Sequence, residues 1–161
     1  MLLSYENKDD KFMNKLICLC GFGLLTLLMV GCASNTLSVD MKASPMVNPD
    51  VSEKPLPVQV VVYQLTDPVA FQQATFRQLW LQDKQTLGSS MLSKQIVTMA
   101  PNSKQSIEFE KNKKAKYVGA IAIFRHPNDG QWRAVEKMPS GFWFIDGSST
   151  IELNQSTITL K

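Results

Sequence analysis

The run Val58-Gln59-Val60-Val61-Val62-Tyr63-Gln64-Leu65 restricts the fold more than any other stretch of the chain. It is β-branched and apolar on nearly both faces, a pattern that suits a central strand with a packed layer on each side. Such a strand needs neighbours, and the sequence supplies them. Residues 37–42 alternate apolar and polar with period two, as a strand with one wet face does. Residues 94–99 and 105–110 read as strands around Ala100-Pro101-Asn102-Ser103, with Ile107 and Phe109 alternating against Ser106, Glu108 and Glu110. Residues 117–124 make a second central strand, His126-Pro127-Asn128-Asp129-Gly130 turns the chain, and residues 132–137 return as its partner. Residues 149–153 and 156–160 form a terminal hairpin around Asn154-Gln155.

One segment breaks the period of two. Asp67 followed by Pro68 is a helix start, a capping carboxylate and then a residue with no N–H to leave unpaired. Phe71, Ala74, Phe76, Leu79 and Trp80 follow at roughly helical spacing as far as Leu81, and they suit packing against a sheet better than a ligand box. Residues 87–92 continue this insertion. Short strands at even spacing with a single helical patch predict an all-β fold, a two-sheet antiparallel β-sandwich with a short helical insertion.

The N-terminal segment has a different character. From Leu16 to Val30 the chain is almost wholly apolar, with Lys11 and Lys15 just before it, which is the layout of an export signal. Fifteen helical residues rise about 22 Å, short of the roughly 30 Å hydrocarbon layer, so a spanning helix is disfavoured. The stretch Leu28-Met29-Val30-Gly31-Cys32 resembles the lipobox read by lipoprotein signal peptidase. The expected division is a signal peptide over residues 1–31, a lipidated Cys32 with its tether over 32–36, and a sandwich over 37–161. Met13-Asn14-Lys15 would open a compact signal of its own, which leaves two candidate starts. Acyl chains on Cys32, at about 0.8 kcal/mol per buried methylene, would hold the protein to a bilayer. Ala33 after the cysteine resembles the class of lipoproteins sent to the outer membrane.

Composition excludes several functions. The net charge of +3 is too small for a nucleic-acid protein. The one dense basic run, Lys111, Lys113, Lys114 and Lys116, is either a solvated turn between strands or a contact with an anionic surface. Cys18, Cys20 and Cys32 are the only cysteines, so a product cut before Cys32 has no internal disulfide. No metal spacing, phosphate loop or dinucleotide fingerprint is present, and no cofactor is expected. His126 is the only histidine and lies in a turn, without a Gly-x-Ser-x-Gly elbow or a free mature thiol to serve. An enzyme is not expected.

The loop over residues 43–57 carries Pro45, Pro49, Pro55 and Pro57, which exclude regular structure and restrict the free chain. Met46 and Val47 are apolar with no evident strand to join, while Asn48 and Asp50 flank Pro49 as a turn. An apolar pair on a polar turn suits a buried contact with a hydrogen-bonded rim. The alternative is an inert connection whose apolar pair tucks back on the sandwich. Under the contact reading, residues 44–54 should be removable with little change in thermal unfolding.

The order of these pieces resembles the TssJ family, outer-membrane lipoproteins of the bacterial type VI secretion system. The likeness rests on Asn48-Pro49-Asp50 before the Val58–Leu65 run, then Phe71 with Phe76 and Leu79, Leu87-Gly88, Ala100-Pro101, Tyr117-Val118-Gly119-Ala120-Ile121-Ala122, Phe124-Arg125 and Trp132-Arg133. It departs at Pro101-Asn102, where proline followed by glycine is the family pattern, and at the bulky Phe142-Trp143-Phe144-Ile145, which either fills the sandwich or forms a second contact patch. The resemblance implies a transthyretin-like sandwich without catalysis, held in the outer membrane and facing the periplasm. It implies binding to the periplasmic domain of TssM through the loop between the first two strands, here Met46, Val47, Asn48, Pro49 and Asp50. The alternative is an exported transthyretin-like module that binds a small ligand or a cell-wall component.

Overall fold

A computed structural model describes residues 36–127, 131–138 and 148–161. Cys18, Cys20, Cys32, the apolar segment around them, Asp129 and Phe142 to Ile145 lie outside the described residues. The chain runs β1 (Thr36–Ala43), β2 (Val58–Leu65), three short helices α1 (Val69–Gln73), α2 (Phe76–Leu81) and α3 (Asp83–Leu87), and a 3-10 turn (Gly88–Ser90). Then come β3 (Met91–Met99), β4 (Lys104–Glu110), β5 (Tyr117–Ile123), β6 (Arg133–Lys137), β7 (Ser148–Asn154) and β8 (Thr157–Leu160). They form two four-stranded sheets, ordered β4-β1-β7-β8 and β3-β2-β5-β6.

Strand β2 is central, as its sequence requires. It pairs antiparallel with β3 on one side and β5 on the other, Val61 facing Ile96 and Ile121. Alternation gives it two buried faces. Val58, Val60 and Val62 point into the sandwich with Gln64, whose amide reaches the carbonyl of Glu110 in the opposite sheet at 2.8 Å. Tyr63 and Leu65 point outward and are nonetheless fully buried, because the helices cover that side. Leu37, Val39 and Met41 of β1 with Ile151 and Leu153 of β7 supply the other half of the core. Each such side chain contributes about 1.5–3 kcal/mol by leaving water.

The expected antiparallel sandwich is corrected at one pairing: β1 lies parallel to β7, Val39 beside Ser149 and Met41 beside Ile151. The first sheet is therefore mixed. These strands are more than a hundred residues apart, so no hairpin turn dictates their direction. A second difference concerns β3 and β4. Although consecutive, they belong to opposite sheets, and the chain crosses between them at Ala100 to Ser103, with Asn102 in the left-handed region at φ 54°.

The single expected helix is three. Ala74 leaves helical geometry, and Thr75 starts a new helix with a capping box, its hydroxyl accepting from the Gln78 N–H while the Gln78 side chain accepts from the Thr75 N–H. Asp67 accepts from the Val69 N–H at 2.8 Å, so the capping carboxylate is used as its sequence suggests. The break changes which aromatics face inward. Phe71 and Leu79 are buried, Phe76 is half-buried, and Trp80, one residue and about 100° beyond Leu79, is 51% exposed. Strand β3 also starts at Met91, inside the segment assigned to the insertion.

Specific contacts fix the helical layer to the sheet. A Cβ on Gly119 would lie 3.1 Å from both Leu65 Cδ1 and Phe71 Cζ, so the glycine makes room for the Phe71 ring. The Arg133 guanidinium donates to the carbonyls of Phe71 and Ala74, where α1 ends. Phe76 meets Trp132 edge to face at 5.1 Å. Asp83 accepts from the Tyr63 hydroxyl at 3.1 Å and pairs with Lys94. Burial, then the Asp83 charge, push the Tyr63 hydroxyl above its ordinary range, so it remains a donor.

Candidate partner-binding loop

Strands β1 and β2 leave the sandwich at the same end, and residues 44–57 join them there. The loop is held at its base by backbone hydrogen bonds: Ser44 N–H donates to Leu153, Asn102 N–H to Ser44, and Leu56 N–H to Val47. These ties bring the β1–β2, β3–β4 and β7–β8 connections together.

Asn48 is the centre of this arrangement. Its backbone N–H donates to the Gln155 carbonyl at 2.6 Å, its amide nitrogen donates to the Pro57 carbonyl at 2.8 Å, and its amide oxygen accepts from the Arg125 N–H at 2.8 Å. One buried side chain thus satisfies groups from the loop itself and from the segment after β5, while the Asn48 backbone N–H reaches the β7–β8 turn. Its φ of 51° lies in the left-handed region, which asparagine tolerates better than most residues. Gln155, its partner in the last turn, also has positive φ, at 33°.

Beyond Asn48 the chain forms a small closed tip. Asp50 N–H donates to the Lys54 carbonyl at 2.9 Å, and Glu53 N–H donates to the Asp50 carbonyl at 3.0 Å. The Asp50 carboxylate accepts from the backbone N–H groups of Ser52 at 2.8 Å and Lys54 at 2.9 Å. The Lys54 bond, opposed by partial desolvation and aided by the Ser52 bond, holds Asp50 below its ordinary value. Val51 sits at the apex and is 88% exposed.

The structure divides the five residues expected to make the contact. Met46 is 40% exposed, and Pro49 and Asp50 are half-buried along the approach to the tip. Val47 is completely buried in the sandwich core and Asn48 is 5% exposed. Neither offers a side chain to a partner, and this corrects their assignment to the contact surface. Val47 instead tucks back on the sandwich, because burial gains it about 1.5–3 kcal/mol that no free surface would supply. The same facts correct the expectation that residues 44–54 can be removed harmlessly: such a deletion takes out a core valine and the residue that joins the connections.

Sequence reasoning missed Val51. The criterion that singled out Met46 and Val47, an apolar residue with no strand to join, applies equally to a valine between Asp50 and Ser52. Arg125 and Gln155 were also missed as members of this site, since Asn48 meets them only through the fold. His126 is exposed beside Arg125. Among the described residues no group of three or more histidine, cysteine, aspartate or glutamate side chains is placed to hold a metal.

A family model described as type VI secretion lipoprotein (VasD, EvfM, TssJ) matches residues 35–156. Among solved structures, the chain is similar to the type VI secretion lipoprotein TssJ1 from Pseudomonas aeruginosa, at 21% identity and a TM-score of 0.72, over 80% of this chain and 95% of that one. It is similar to a chain of a structure described as a type VI membrane complex, at 27% identity and a TM-score of 0.71, over 79% and 98% of the two chains. A further match, at 25% identity and a TM-score of 0.65, is to a chain in a structure described as the TssM C-terminal domain (869–1107) from EAEC, covering 78% of this chain and 97% of that one. A search of curated protein sequences returns no significant match.

Proposed function

The chain belongs to the TssJ family of type VI secretion lipoproteins, and from that premise we propose that it ties the secretion apparatus to the outer membrane, with acyl chains on Cys32 as the anchor and the tip of the β1–β2 loop as the contact with the periplasmic domain of TssM. The family is a structural component of the secretion system, which fits a chain whose only histidine is exposed in a turn.

The observation that carries the reading is the exposed Val51 on a rigid tip. Ordering a flexible loop on a partner lowers affinity, and here the tip is already closed by its own hydrogen bonds. An apolar residue that is 88% exposed gains nothing from its place in the free protein, but gains fully when a partner covers it. Met46, Pro49 and Asp50 of the same loop add apolar and polar groups, as an anchor with a rim requires. The likeness to chains in structures described as a type VI membrane complex and as the TssM C-terminal domain supports TssM as the partner.

Val51→Asp and Met46→Asp together should weaken binding to the periplasmic domain of TssM by about 2 kcal/mol or more, roughly thirtyfold, because each places a charge in a desolvated contact. Thermal unfolding should barely move. Unchanged affinity in calorimetry would shift the interface elsewhere, most plainly to the helical layer, where Trp80 and Leu81 are about half exposed. For the anchor, Cys32→Ser should abolish incorporation of labelled palmitate and release the protein from the membrane fraction. Label retained by the serine variant would end the lipoprotein reading.

A further inference from the structure

The end of the sandwich opposite the β1–β2 loop is where the chain enters β1, and a basic turn lies beside that entry. Thr36, the first residue of β1, pairs with Glu110, the last residue of β4. The next residues are Lys111, Asn112, Lys113, Lys114, Ala115 and Lys116, which lead into β5. We propose that this lysine turn rests on the anionic phospholipid headgroups of the membrane in which the chain is anchored; this rests on the Cys32 anchor argued above.

Reach comes first. Cys32 is four residues before Thr36, and at about 3.3–3.6 Å per residue the intervening chain spans at most about 14 Å. An anchored Cys32 therefore holds the entry end of the sandwich next to the bilayer surface, with the lysine turn adjoining it. The β1–β2 loop, at the far end of β1, is kept away.

Presentation comes second. The turn is braced from within: Asn112 N–H donates to the Gln64 side-chain oxygen at 2.8 Å, Lys114 N–H to the Asn112 side-chain oxygen at 2.9 Å, and Ala115 N–H to the Asn112 carbonyl at 2.9 Å. Lys116 N–H donates to the Leu65 carbonyl at 2.9 Å, and the Lys116 carbonyl accepts from Met138 N–H at 2.7 Å. With the backbone satisfied inward, Lys113, Lys114 and Lys116 are exposed and take part in no ion pair among the described residues. Lys137, which pairs with Tyr117 at the same end, adds a further cation, and Glu110, Asp67 and Glu136 only partly offset the group.

Charge complementarity selects the occupant. A compact group of ammonium ions beside a tethering point matches an anionic lipid surface, where each lysine gains roughly a fivefold preference. An acidic protein segment is the competing occupant, but among the described residues of the turn and of the strand ends it adjoins, Thr36, Glu110, Tyr117 and Lys137, no large apolar side chain is exposed as a protein contact uses.

Amine-reactive footprinting of the lipidated full-length protein tests this. The protein is reconstituted in vesicles of phosphatidylcholine alone and of phosphatidylcholine with phosphatidylglycerol, and modification of each lysine is read by mass spectrometry. Labelling of Lys113, Lys114 and Lys116 should fall about fivefold or more in the anionic vesicles at low salt. It should recover near 1 M salt, where screening acts over about 3 Å. Lys54, on the loop at the other end, should be unaffected. Equal labelling of the turn in both vesicles overturns the proposal, as does protection that appears only when TssM is added. Failure to float with phosphatidylcholine vesicles would instead remove the Cys32 anchor, and the proposal with it.

Discussion

At the loop end of the sandwich a buried asparagine joins separate connections through Pro57, Arg125 and Gln155; at the entry end a buried glutamine, Gln64, accepts from Asn112 N–H and donates to the Glu110 carbonyl. Both ends use a carboxamide because it is the neutral side chain that carries a donor and an acceptor together, and so can satisfy an N–H and a C=O without burying charge. What they display differs completely. The loop end shows exposed apolar residues, Val51 at the tip and Met46 before it, and the entry end shows exposed lysines. The bracing lies beneath the surface and leaves the displayed residues free to be chosen by what lies outside, which under the two proposals above is a protein at one end and a membrane at the other.

The comparison is broken most strongly at Asn48. Asn48→Ala leaves the Pro57 carbonyl and the Arg125 N–H without their part-buried partner, at about 1 kcal/mol or more for each, and also places in the left-handed region a residue that tolerates it less well than asparagine does. Urea unfolding should report a loss of about 3 kcal/mol, together with weaker TssM binding because the tip loses its base. A loss below about 1 kcal/mol would mean that the connections do not depend on this residue.

Gln64→Leu should cost somewhat less, about 2 kcal/mol, since leucine fills the same apolar space while the Glu110 carbonyl and Asn112 N–H lose their partner. Amide exchange at Asn112 and Lys114 should quicken, with TssM affinity unchanged. If both carboxamide variants altered binding alike, the two ends would not be independent.

The smallest effect concerns Asp50. Its carboxyl is held below the ordinary value of 3.8 chiefly by the Lys54 N–H, so it stabilises the tip as an anion. That contribution is fully present above pH 3.8 and is lost as the pH falls through the lower value in the folded protein. Exchange at Ser52 and Lys54 should rise in that acid window while the core stays folded. Asp50→Asn should show raised exchange at neutral pH with no such acid step.

The strands were legible in the sequence because each one carries its own signal. Val58–Leu65 shows a strand buried on both faces, residues 37–42 show one wet face, and the turn residues before β8 mark the return. The helical layer was legible as helix but not as three helices, because the stop at Ala74 rests on a capping box at Thr75 and Gln78 that competes with an otherwise continuous apolar spacing. Within the candidate site, the proline-rich loop and its place in the chain could be read directly. Which of its apolar residues faced inward could not.

The sequence by itself determined the sandwich, its central strands, the helical excursion and the loop between β1 and β2, since hydrophobic period, β-branching, proline and capping residues act over a few neighbouring positions. Tertiary structure alone decided that β1 runs beside β7 in parallel, that Val47 belongs to the core while Val51 stands exposed, and that Asn48 meets Arg125 and Gln155. Those outcomes depend on contacts between residues 77 to more than 100 positions apart, where burial and hydrogen-bond satisfaction across the whole molecule, rather than any local preference, select the arrangement.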